Sequence, residues 1–141
     1  MVIAIIAILS MLAYPAYLTY TRKAVRTNAA ALLFDVAALQ QNHLIVQRKY
    51  ALDWTFMNQE GAIPESRYSL VRDHYAWPPT IEGCGGRALQ GTPCNGIPPW
   101  FKFTLIPSSE LMSEDGAMCI DNVGRTMRYC GTAQEQVWYD D

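Results

Sequence analysis

Met1-Val2-Ile3-Ala4-Ile5-Ile6-Ala7-Ile8-Leu9-Ser10-Met11-Leu12-Ala13-Tyr14-Pro15-Ala16-Tyr17-Leu18-Thr19-Tyr20-Thr21 contains no charged residue, and it runs directly into Arg22-Lys23, with Arg26 one helical turn further on. Three structures compete for so apolar a run. A cleaved signal peptide needs a basic start and a small-residue cut site, and here the chain opens on Met1-Val2-Ile3 and carries Tyr14, Tyr17 and Tyr20 instead. A buried core helix seldom stays apolar on every face for five turns, whereas a bilayer demands about 20 such residues. The reading is therefore a membrane-spanning helix in which Val2, Ile3, Ile5, Ile6, Ile8, Leu9 and Leu12 form the apolar surface. The tyrosines and the basic step suit its interfacial end. Pro15 lies inside it and is expected to kink or loosen the preceding turn, since its ring removes one backbone hydrogen bond.

Beyond Ala24 the pattern changes from uniform to striped. Val25, Ala29, Leu32, Val36, Leu39, His43, Val46 and Tyr50 recur at alternating steps of four and three, which is one face of an amphipathic helix. Leu33, Ala37 and Leu44 widen that face, and Gln40, Gln41, Gln47, Arg48 and Lys49 read as its polar flanks. A single helix from Met1 to Tyr50 would be roughly 75 Å long. The chain of 141 residues thus divides into an apolar stem (1–21), the amphipathic half of the same helix (22–50) and a head (51–141) large enough for one small core. The net charge of −2 points to no particular partner.

In the head, turn formers at Gly61, Pro64, Pro78-Pro79, Gly83, Gly85-Gly86, Gly91, Pro93, Gly96 and Pro98-Pro99 predict a middle made mostly of loop. Ser66–Val71 and Trp100–Leu105 are the candidate strands there, the second with the better alternation. Ala117–Asp121 and Arg125–Cys130 read as a hairpin across Asn122-Val123-Gly124, so the fold class is α+β. If Gly124-Arg125 forms a two-residue turn, Val123 faces Thr126 and Cys119 falls opposite Cys130. Cys84 and Cys94 would then close the Gly/Pro-rich loop; the other two pairings stay open. An even number of cysteines behind a membrane-like segment places the head in an oxidising compartment. The positive-inside rule pulls the other way, and as it is only a bias the head is kept outside. Zinc is disfavoured because the cysteines are spaced ten, 25 and 11 positions apart with no Cys-x-x-Cys pair, and His74 lies outside the cluster.

No catalytic or phosphate-binding motif is present, and neither a cofactor nor a metal is expected. Gly83-Cys84-Gly85-Gly86 neither follows a clear strand nor opens a helix. Glu60, Glu65 and Asp73 are scattered acids that read as solvated surface. His43, on the helix stripe, reads as a hydrogen-bonded packing residue. Arg67, Arg72, Arg87, Arg125 and Arg128, interleaved with Tyr68, Trp77 and Tyr129, could form a nucleic-acid stripe, although ordinary strand faces account for them as well.

The order of Met1-Val2-Ile3-Ala4-Ile5-Ile6-Ala7-Ile8-Leu9, Ala13-Tyr14-Pro15-Ala16-Tyr17 and Tyr20-Thr21-Arg22-Lys23 closely resembles the N-terminal helix of type IV pilins, over about the first 50 residues. The resemblance implies a long helix packed on a small antiparallel sheet with a cysteine-closed C-terminal region. It implies a subunit, major or minor, held in the inner membrane by its stem with the head in the periplasm. The assembly machinery would then polymerise it with other pilin subunits into an extracellular filament for adhesion, twitching motility or DNA uptake. Pro15 would then serve extensibility. The family matures by cleavage and methylation at a segment like Phe-Thr-Leu-Ile-Glu-Leu, which would lie about seven residues before Met1; truncation at that point is expected. Phe103-Thr104-Leu105-Ile106 is a decoy, being followed by Pro107. Two alternatives remain: a pilin-like DNA-uptake receptor, and a type II secretion pseudopilin. The latter ranks lower because those heads usually lack disulfides and Asp140-Asp141 form no evident calcium loop.

Overall fold

The computed structural model describes residues 2–57, 61–84, 98–128, 130 and 136–137; the side chains at 4, 5, 7–10, 12, 56, 57, 65, 136 and 137 lie outside that description. One helix, α1 (Val2–Gln47), dominates and is about 70 Å long. It runs through Pro15 without interruption. The expected loosening is absent because a proline cancels one ladder bond and the turns on either side keep theirs. The helix stops at Gln47, short of the Tyr50 expected from the stripe. Arg48 there takes a left-handed φ of 58°, and its N–H bonds to the Leu44 carbonyl at 2.9 Å. That is the αL cap, a conformation usually given to glycine.

The head packs on α1 through a five-stranded antiparallel sheet of order β1 (Thr80–Cys84), β2 (Trp100–Leu105), β3 (Met118–Asp121), β4 (Thr126–Arg128) and β5 (Gln136–Val137). Strict alternation in β2 turns Phe101, Phe103 and Leu105 toward the helix, and Met118 and Ile120 of β3 join them. They meet Val25, Ala29, Leu32, Leu33 and Val36 of α1, all fully buried. Tyr50 closes the layer edge-on to Phe101, with ring centroids 4.8 Å apart. Three short helices complete the head: α2 (Trp54–Met57), α3 (Ser69–His74) and α4 (Glu110–Ser113). The result is the expected α+β architecture of a long N-terminal helix on a small antiparallel sheet.

Several local expectations are corrected. Ser66–Val71 is not a strand: Glu65–Tyr68 forms a 3-10 turn that continues into α3. Tyr68 and Val71, three apart, are the residues this segment buries, and that is helical spacing. The middle of the head is not mostly loop among the described residues, since β1 lies there beside β2, pairing Ile81 with Phe103 and Gly83 with Phe101. Val46 does not join the stripe. It is exposed because the chain leaves the helix axis at Arg48.

The hairpin crosses the expected Asn122-Val123-Gly124, but not in the register of a two-residue Gly124-Arg125 turn. Cys119 pairs with Met127 and Ile120 with Thr126, a shift of three positions, so the loop is Asn122-Val123-Gly124 with Gly124 at φ 84°. The Asp121 side chain decides this. Its Oδ1 accepts the backbone N–H of Val123 at 3.0 Å and of Arg125 at 2.9 Å, and its Oδ2 accepts Arg125 Nε at 2.7 Å. Cys119 and Cys130 are nevertheless joined, with Cα atoms 6.2 Å apart. Cys130 lies beyond the end of β4, so the bridge sits outside the ladder and is not a cross-strand pair. Cys84 is disulfide-bonded too, while Cys94 lies outside the described residues.

Gln40, read as a polar flank, is fully buried. Its amide oxygen accepts the Ala51 N–H at 3.0 Å and its NH2 donates to the Ala51 carbonyl, so it pins the chain as it doubles back from α1. Gln40→Leu leaves both Ala51 groups buried without partners and should lower unfolding free energy by about 2 kcal/mol in urea titration. A variant as stable as the parent would show that the clamp contributes nothing.

Candidate functional site

The part of α1 below Thr21 rises free of the head. Val2, Ile3, Met11, Tyr14, Tyr17 and Tyr20 are each at least two-thirds exposed, and Ile6 and Pro15 are exposed as well. The side chains of Ile5, Ile8, Leu9 and Leu12, the other stem residues expected to meet lipid or neighbouring stems, lie outside the described residues. Thr19 and Thr21 donate their hydroxyls to the carbonyls of Pro15 and Tyr17, each at 3.0 Å. That bonding satisfies the hydroxyls within the helix itself, as an apolar surrounding requires. Among the described residues one helix, over Ala13–Gln47, is long and apolar enough to cross a membrane.

The basic step above the stem is not left to solvent. Arg22 Nη1 lies 2.8 Å from Glu114 Oε2, and Arg26 Nη2 lies 2.6 Å from Asp115 Oδ1. The same Oδ1 receives Arg128 Nη2 at 2.9 Å. Asp115 is buried, and its Oδ2 takes no hydrogen bond from the described residues. This collar ties α1, the turn after α4, and β4 to one carboxylate. The Glu114 pair is exposed and contributes under about 1 kcal/mol; the Asp115 bridge is the stronger tie. Glu114 and Asp115 carry no sequence motif. The signal available was the i, i+4 spacing of Arg22 and Arg26, which sets both on the margin of the stripe that contains Val25 and Ala29.

The opposite flank of α1 is held by Tyr68, whose hydroxyl donates to Asp35 Oδ2, with Arg67 Nη1 3.5 Å from the same oxygen. Burial, then the Asp35 carboxylate, pushes the Tyr68 phenol up to about 12. Burial, then Asp115, pushes Tyr75 up to about 12 as well. Both folded values lie above the ordinary 10.0, so both phenols favour folding below pH 10. That contribution is lost as pH rises through about 12. Burial opposes ionisation of Asp121, yet the Arg125 and Val123 hydrogen bonds outweigh it and hold its carboxyl below the ordinary 3.8. Its contribution is present above that value and lost as pH falls through the lowered one. Unfolding free energy measured against pH should therefore decline above pH 10, and Tyr75→Phe should flatten that limb; an unchanged limb would remove Tyr75 as its source.

The arginines considered for nucleic acid each have a local partner. Arg67 sits on the 3-10 turn beside Asp35, and Arg72 on α3 lies 5.8 Å above the Trp77 ring. Arg125 is paired with Asp121 in the hairpin turn, and Arg128 is committed to Asp115. Arg87 lies outside the described residues. Each of the four described arginines thus has an acid or an aromatic ring beside it. His43 Nδ1 donates to the Lys49 carbonyl at 2.8 Å, so it serves the end of α1, and His74 Nδ1 lies 2.9 Å from Ser109 Oγ. Among the described residues no group of three His, Cys, Asp or Glu side chains converges as a metal site.

The long helix on a small antiparallel sheet, with a disulfide closing the C-terminal hairpin, is consistent with a pilin-like fold and a membrane-anchored subunit. Comparison of the chain with protein-family models, curated proteins and solved structures returns no match.

Proposed function

We propose that this chain is a non-enzymatic structural subunit of a type IV pilus, major or minor. Its stem is stored in the inner membrane with the head in the periplasm, and the assembly machinery polymerises it with other pilin subunits into a filament outside the cell. The observation that carries the reading is the division of one unbroken helix into two surfaces. From Val25 to Gln40 it buries its stripe in the head, and from Val2 to Tyr20 it presents apolar side chains outward. A single protomer has nothing to cover the second surface, so a bilayer covers it before assembly and neighbouring stems cover it afterwards. The resemblance of the stem to type IV pilins supplies the particular polymer.

The test follows the native full-length chain in the cells that make it. Antibody to the head should detect it in carbonate-washed membranes and in filaments sheared from the cell surface, labelled along their length or at a tip by electron microscopy. Recovery in the soluble fraction alone, with no labelled filament, would overturn the proposal.

A further inference from the structure

The side of the sheet turned away from α1 carries a patterned row of charge. Trp100, Lys102 and Thr104 point there, since Phe101, Phe103 and Leu105 alternate with them toward the helix. Lys102 stands between two acids, opposite Glu82 of β1 and opposite Asp121 of β3. Asp121 in turn holds Arg125 Nε at 2.7 Å. Across β1, β2, β3 and the hairpin turn the row thus reads acid, base, acid, base. A hollow lies on either side of it. One, of about 400 Å3, is lined by Trp100, Lys102, Asp121, Asn122, Arg125 and Met127. The other, of about 290 Å3, is reached by Glu82 and by the hydroxyl residues Thr80 and Thr104, and Lys102 is common to both. Trp100 is left 38% exposed among these charged groups.

We propose that this face binds an uncharged oligosaccharide, with Trp100 as the platform for one sugar ring and the charged row as the partner of its hydroxyls. Three features select that class of ligand. The row sums to zero formal charge, Glu82 and Asp121 against Lys102 and Arg125. A nucleic acid or an acidic peptide would meet as many carboxylates as cations there and gain no net attraction. A sugar hydroxyl, by contrast, both donates and accepts. Of two neighbouring hydroxyls, one donates to a carboxylate while the other accepts from the adjacent ammonium or guanidinium, and both bonds are charge-assisted. Finally, the apolar C–H face of a pyranose needs a flat apolar partner, which the indole of Trp100 supplies. A concave surface with one large aromatic and a few convergent polar groups is the usual form of a small-ligand site. Two hollows sharing Lys102 suit a ligand longer than one ring. The inference concerns the head alone and does not depend on the filament reading.

The test titrates the full chain, held in a detergent without a sugar headgroup, with lactose, maltotriose and diacetylchitobiose. Sialyllactose and a short oligothymidylate serve as charged controls. At least one neutral saccharide should bind with a Kd of about 1 mM or lower. It should shift the indole N–H resonance of Trp100 and leave those of Trp54 and Trp77 in place. Trp100→Ala should weaken that binding about tenfold, whereas Trp100→Phe, which keeps a ring, should bind within about threefold of the parent. The resonance shift is read on the parent chain, so the site remains testable even if Trp100→Ala fails to fold. Absence of binding by all three neutral saccharides overturns the proposal, as does binding that leaves the Trp100 resonance unmoved or that folded Trp100→Ala retains. Tighter binding of either charged control overturns the choice of an uncharged ligand. None of these results bears on whether the chain forms a filament.

Discussion

Asp115→Leu should lower the unfolding free energy by about 3 kcal/mol, the largest loss expected from any single charged residue of this chain. The carboxylate is buried and one of its oxygens holds both Arg26 and Arg128. Removing it strands two guanidinium groups that are each about three-quarters buried, side by side and of like sign. Because both arginines keep some access to water, the loss belongs at the low end of the range for breaking a buried pair. Urea unfolding of the full chain in detergent reads it directly. The triple variant Arg26→Met/Asp115→Leu/Arg128→Met should recover most of the loss, since an apolar cluster of similar size owes no desolvation. If Asp115→Leu unfolds at the parental midpoint, the bridge is an ornament of the fold and the collar cannot be what holds α1 against the head.

Gly83→Val is the second large effect, again near 3 kcal/mol, and here the cause is steric. A Cβ on Gly83 would lie 2.4 Å from the Trp100 carbonyl oxygen and 2.9 Å from the Phe101 Cα. Both are backbone atoms of β2, so no rotamer change can relieve the clash. Either β1 detaches from β2 or the sheet shifts under Phe101, which meets Tyr50 edge-on. Amide hydrogen exchange should show protection lost across Thr80–Cys84 and the facing residues of β2, while Met118–Asp121 keeps its own. Parental exchange in β1 would show that the strands tolerate the added side chain.

Much of the fold was legible because it depends on periodicity. The stem announced itself by the absence of charge, the amphipathic half by steps of three and four, and β2 by alternation. What escaped depends on contacts remote in sequence. β1 has only Ile81 and a glycine to turn inward, so it carries no alternating signal, and its pairing is decided by the close approach that Gly83 permits. The hairpin was visible, yet its register was not. The loop Asn122-Val123-Gly124 could be read, but setting Cys119 opposite Cys130 required a two-residue Gly124-Arg125 turn, whereas the Asp121 carboxylate gathers three donors and keeps the three-residue loop. Gln40 was misassigned because a glutamine on a stripe margin reads as solvated until a backbone segment needing both a donor and an acceptor arrives beside it. Arg22 and Arg26 read as interface charges for the same reason: their partners lie about 90 residues away.

Among the described residues the buried core draws nothing from α1 before Val25. On the proposed filament reading, folding and polymerisation are therefore written in separate stretches of one helix. A chain that begins at Arg22 retains every described core residue and all three arginines of the collar, and should yield a water-soluble head with the native sheet. Substitutions at the exposed positions between Val2 and Tyr20, conversely, should leave the thermodynamics of the head untouched. If the filament proposal holds, the stem is in this sense an interchangeable handle, free to vary with the thickness of the membrane or the stiffness of the polymer.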